Sequence, residues 1–157
     1  MKTHSIEINF QEFDSREDLI DSERNLILSA QEALKTSYSP YSNFRVGVAV
    51  LTSDGKVFLG SNQENANFKV SCAERTALDS LAVAGFKNKV EKIAIVSDSN
   101  NFIYPCGQCR QDIKEVEDLS GRDIIILVSD NNMVRRFSGI KSLLPFSFGP
   151  KDINQKI

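Results

Sequence analysis

Tryptophan is absent from the chain, and histidine occurs once, at His4 in the amino-terminal segment. The interior therefore lacks the usual general base and the usual nitrogen ligand for a metal, and a serine-histidine triad is excluded. No apolar run approaches the length needed to span a bilayer. The polar start MKTHSIEINF has neither region of a signal peptide, so a cytoplasmic protein with no membrane contact is expected. Blocks of one charge sign are missing as well: 19 basic and 21 acidic residues are interspersed, with a formal net charge of -2. Such a surface has no pull toward a phosphate backbone, so nucleic acid is not expected as a partner. Neither GxxxxGK[ST] nor GxGxxG occurs, which leaves a phosphate-cradling loop without support. Cysteine is sparse, and the odd count of 3 points away from a disulfide framework and toward metal or catalysis.

What the chain does have is the length of one domain, 157 residues. IEINF alternates apolar and polar residues and fits a short edge strand in an extension over residues 1–14. From Asp14, Ser15 with Asp18 resembles a capping box, and Leu19, Ile20, Leu26, Ile27, Ala30, Ala33 and Leu34 share one helical stripe. That predicts a helix of roughly five turns, ending before Ser39-Pro40. FRVGVAVLT and KVFLGSN, around Ser53-Asp54-Gly55, read as a hairpin. CAERTALDSLAVAG reads as a helix stopped at Gly85, KIAIVS and DIIILVS as buried strands, and the stretch from Pro105 to Val116 as another helix. RRF fits a last strand and IKSLL a short helix. Alternating strands and helices predict an α/β layered domain over 15–157.

Cys106 and Cys109 form a C-x-x-C pair at a helix start, where both sulfurs face one side of the first turn. Alone the pair also suits a redox dithiol. Cys72 begins a helix too, and three thiolates on two helix N-termini can bind Zn²⁺ with its fourth position open. Glu74, two residues on, could then address the metal's water, whose pKa zinc lowers to about 7, and carry its proton to a substrate. Three thiolates on a dication leave net negative charge, which makes that water less acidic. Arg75 and the helix N-termini are candidates for the offset.

C-A-E followed by P-C-x-x-C resembles the signature of zinc-dependent nucleoside and nucleobase deaminases in its three-cysteine form. "SPYSNFRVGVAVL", "NQEN", "CAERTAL", "PCGQCRQ" and "LLPFSFGP" occur in the order seen in the small homotetrameric cytidine deaminases, over about residues 16 to 153. The resemblance implies a three-layer α/β/α fold with a mixed five-stranded sheet, to which the amino-terminal segment would add an edge strand. It implies one Zn²⁺ per subunit on Cys72, Cys106 and Cys109, with Glu74 as proton shuttle. It further implies a nucleoside substrate: Phe44 packs on the pyrimidine, Asn62 and Glu64 hold the ribose 3'-hydroxyl, and Phe148 comes from a neighbouring subunit of a homotetramer. The activity implied is hydrolytic deamination of cytidine and deoxycytidine.

The chain departs from that pattern in two places. It has one residue fewer between "NQEN" and Cys72, and Phe68 stands where many members carry a substrate-contacting tyrosine. Substrate preference is therefore open to a different aminated ring, such as a blasticidin-like nucleoside antibiotic. A zinc-stabilised binding protein without turnover is a further alternative, which Glu74 argues against.

Overall fold

The computed structural model describes residues 1–153. In chain order the elements are β1 (Gln11–Phe13), α1 (Asp21–Leu34), β2 (Val46–Thr52), β3 (Val57–Ser61), β4 (Gln63–Glu64), β5 (Val70–Ser71), α2 (Ala73–Val83), β6 (Val90–Ser97), α3 (Gly107–Ser120), β7 (Ile125–Ser129) and β8 (Val134–Ser138). Six strands form one mixed sheet in the order β1-β8-β7-β6-β2-β3, while β4 and β5 make a small separate ladder. Only β6 and β7 run parallel, and α3 supplies the crossover that a parallel pair requires.

The period-2 alternation of the central strands divides the core in two. Val48, Val50, Ile93, Ile95, Ile126 and Val128 point toward α2 and α3. Ala49, Ala94, Val96 and Leu127 point to the opposite face, where Leu26, Ile27 and Ala30 of α1 cover them. Strands buried on both faces read as continuous apolar runs, which is why KIAIVS and DIIILVS stood out in the sequence. Among the described residues no helix is long and apolar enough to cross a membrane.

Three expectations need adjustment. The sheet has six strands instead of five, because an amino-terminal edge strand is present. That strand is Gln11–Phe13 and not IEINF: pairing with β8 begins at Gln11↔Arg136, so Ile6 to Phe10 have no ladder partner despite their alternation. The Ser15–Asp18 capping box is real, but it caps a single 3₁₀ turn over Arg16–Asp18. Leu19 then turns extended and inward, 5% exposed, so α1 starts only at Asp21 and is shorter than the stripe suggested.

Candidate active site

Cys72 and Cys106 occupy the N-cap positions of α2 and α3, both in extended conformation, and neither side chain caps its own helix. Their sulfurs are thus free to face the space between the two helix N-termini. Cys109, one turn into α3, adds its sulfur from the buried side, and the three Sγ atoms lie within 4.8 Å of one another, with Cys106 and Cys109 3.5 Å apart. Two sulfurs on one zinc, at about 2.3 Å each, can be no more than about 4.6 Å apart, so closure takes only a small inward shift. Among the described residues this is the one such group of metal-ligating side chains.

Burial pushes the Cys72 and Cys109 thiols up; at Cys109 the Glu74 and cysteine groups add to this, while at Cys72 a hydrogen bond with Cys109 opposes burial without overcoming it. At Cys106 burial acts in the same direction, but hydrogen bonds from the Cys109 and Gln108 backbone amides and from the other thiols outweigh it and draw the thiol down. Without a cation, then, the cluster resists carrying three negative charges. A soft divalent ion reverses that balance, and the donor set fits zinc.

Glu74 lies on the first turn of α2 and is 6% exposed. Burial pushes its carboxyl up, and the nearby Asp112 charge adds to this. It shares a cavity of about 290 Å³ with the three cysteines, Phe44, Asn62 and Glu64, at the lower end of small-molecule sites.

Hydrogen bonds to neighbouring groups hold Asn62 and Glu64 of "NQEN" at this cavity. Asn62 Oδ1 accepts from the Ser37 hydroxyl at 2.7 Å and the Val46 amide at 2.8 Å, and its Nδ2 donates to the Phe44 carbonyl at 2.8 Å. Both lone pairs are occupied, which leaves one N–H to offer a ligand. Glu64 accepts from the Tyr41 and Ser42 amides at 2.8 and 3.2 Å. The Ser42 hydroxyl, and after it these two amide bonds, hold its carboxyl below the ordinary range, so it faces the cavity as an acceptor.

Arg75 and Phe148 sit elsewhere. The Arg75 guanidinium donates to Asp79 at 3.1 Å and Asp112 at 2.8 Å, and no sulfur is among its partners in the described residues. The Phe148 ring is 59% exposed and does not line the cavity of its own chain. Phe68 is also turned out, 85% exposed at φ +59°, beside Tyr41 in a shallow depression that adjoins the cavity through Ser42, Glu64 and Val70.

Sequence reasoning missed Tyr104, which lines the cavity together with Asn62 and Glu64. Its one signal was position, two residues before Cys106. It also missed Asp112, whose pairing to Arg75 joins α2 to α3 and has no local signature.

A family model described as the cytidine and deoxycytidylate deaminase zinc-binding region matches residues 20–121. A cytidine deaminase of Halalkalibacterium halodurans is 38% identical over 130 residues, which is 82% of this chain and 96% of that protein. A probable cytidine deaminase of Dictyostelium discoideum is 37% identical over 130 residues, 82% of this chain and 84% of that one. The crystal structure of cytidine deaminase from Burkholderia pseudomallei superposes with a TM-score of 0.72 at 41% identity, covering 79% of this chain and 97% of that one.

Proposed function

Because the chain belongs to the cytidine and deoxycytidylate deaminase family, we propose that it hydrolyses cytidine and deoxycytidine to uridine and deoxyuridine, releasing ammonia. The observation that carries this reading is the burial of Glu74 in one cavity with the three sulfurs. Cys72, Cys106 and Cys109 hold one zinc, which when bound supplies the Lewis acidity that makes water a nucleophile near neutral pH.

Glu74 takes the proton of the attacking water and delivers it to N3 of the ring. Addition at C4 followed by loss of ammonia then gives the uracil ring, and water and cytidine account for every atom of uridine and ammonia. Phe44 packs on the pyrimidine, while the free N–H of Asn62 and the Glu64 carboxylate hold the ribose 3'-hydroxyl. Arg75 is matched by Asp79 and Asp112, so the offset to thiolate charge falls mainly to the N-termini of α2 and α3.

Residues 15–157 form the unit that performs this chemistry, with 1–14 as an extension. Phe148 serves a neighbouring copy's cavity in a homotetramer, a reading supported by its exposure and by its not lining the cavity of its own chain.

The test follows the ultraviolet absorbance of cytidine with the parent protein and with Glu74→Gln at matched zinc content. Turnover by the parent and a loss of about 100-fold or more in kcat for the variant are expected. If both proteins carry zinc and neither consumes cytidine, the reading is overturned.

A further inference from the structure

Tyr104 is held from outside the cavity it lines. Its hydroxyl accepts a hydrogen bond from Arg135 Nη1, and its ring meets Phe137 edge-on at 6.0 Å. Arg135 is in turn fixed by the amino-terminal segment. It faces Glu12 across the β1–β8 pair, donates to the Glu12 carboxylate through Nε at 2.6 Å, and lies 5.2 Å from the centre of the Phe10 ring. The guanidinium also lies over the Phe102 ring, 4.2 Å from its centre.

Arg135 and Phe137 are two residues apart on β8 and so share a sheet face, the one that carries the candidate site. Phe10 also packs on Phe137, with ring centroids 5.3 Å apart. A guanidinium gripped by a carboxylate, a phenol and two aromatic faces has little rotamer freedom left, and it passes that order to the phenol it contacts.

We propose that the amino-terminal segment is a positioning device for the nucleoside cavity: Phe10 and Glu12 fix Arg135, and Arg135 fixes Tyr104 as a wall against which the substrate is oriented. This rests on the deamination reading and deepens it. Neither Arg135 nor Glu12 lines the cavity itself, so they are positioning residues. Tyr104 is the residue through which they act.

The experiment compares parent, Arg135→Ala, Glu12→Gln, Tyr104→Phe and the double variant Arg135→Ala/Tyr104→Phe, each with its zinc content measured. Steady-state kinetics on cytidine are paired with amide hydrogen exchange of residues 99–105. For Arg135→Ala the expected result is faster exchange in that loop and KM raised about three- to tenfold, with kcat within about twofold and one zinc per chain. Glu12→Gln shifts KM in the same direction by less. The double variant raises KM no further than Arg135→Ala alone, since both changes break one contact.

Unchanged loop exchange in Arg135→Ala overturns the proposal, whatever the kinetics. Faster exchange with unchanged KM in an active enzyme also overturns it, because the contacts would then serve the fold only. An additive double variant has the same consequence. A zinc-loaded parent that leaves cytidine untouched overturns the deamination reading, and this inference with it, and is distinguished from the other failures by the activity of the parent itself.

Discussion

Arg75 donates to Asp112 Oδ1 at 2.8 Å across the α2–α3 interface, while Asp112 Oδ2 is buried with no partner among the described residues. The two helices that present the cysteines are therefore joined by an ion pair whose acidic member depends on Arg75. Removing the arginine leaves a carboxylate short of partners near Glu74, whereas removing both members takes away the unmet charge as well.

The double variant Arg75→Ala/Asp112→Ala should consequently be less destabilised than the sum of Arg75→Ala and Asp112→Ala. A coupling of about 0.5–1 kcal/mol is expected for a pair whose arginine is well exposed. Chemical denaturation of the four proteins of the cycle checks this, and a coupling near zero would mean the pair contributes nothing.

Close approach of helix to sheet is set by two glycines, one on each face. A Cβ on Gly60 would lie 2.4 Å from the Ala73 carbonyl oxygen in α2, and one on Gly47 would lie 2.2 Å from the Ala30 carbonyl oxygen in α1. Either substitution to alanine overpacks backbone that cannot yield locally, at a cost of about 1–3 kcal/mol or more. Only Gly60→Ala displaces the helix that presents Cys72 and Glu74. Lower zinc occupancy is therefore expected for Gly60→Ala, with occupancy near the parent level for Gly47→Ala. Metal analysis of both purified variants decides the point.

Zinc removal should both loosen the fold and expose thiols. A metal bound only by the folded chain stabilises it by mass action, by about 3 kcal/mol at a hundredfold excess over Kd. With chelator, the thermal midpoint should fall and the thiol count in denaturant should reach 3, the number in the chain. A midpoint insensitive to chelation would argue that the cluster is not a metal site in solution.

Glu117 offers a pH test away from the cysteines. Its Oε2 accepts from the Ile124 and Ile140 amides at 3.0 and 2.9 Å, and burial pushes its carboxyl above the ordinary range despite those bonds. In the window between the unfolded and folded pKa values the native state binds more protons, so stability falls as pH rises through it. Glu117→Gln lacks that slope. The stability of the variant minus that of the parent should grow between pH 4 and pH 7, as read from denaturation midpoints at each pH. A constant difference would show that the carboxyl titrates alike in both states.

Much of the site was readable because its chemistry is local. The C-x-x-C pair fits within one helical turn, and Cys72 at the N-cap of α2 stands two residues before Glu74 in its first turn, so closeness in sequence groups them. The helices on either side of the sheet were equally visible in their apolar stripes. Local pattern misled where a strong signal lacked a tertiary partner: the alternation of IEINF meets no strand, and the Ser15 cap closes a turn that Leu19 ends by turning inward.

By itself the sequence determined the kinds of group available, the faces of helices and strands that must be buried, and the three thiols with one carboxylate that imply zinc chemistry. These follow from chain geometry over a few residues. The tertiary structure decided which distant pieces meet: Cys72 with Cys106 across two helix N-termini, Asn62 turned inward by Ser37, Val46 and Phe44, Arg75 turned away to Asp112, and Tyr104 braced by Arg135 and the amino-terminal strand. Periodicity states that a face is apolar or that an edge can pair, but not which partner it finds, because that depends on the order of strands in the sheet and the packing of the whole core.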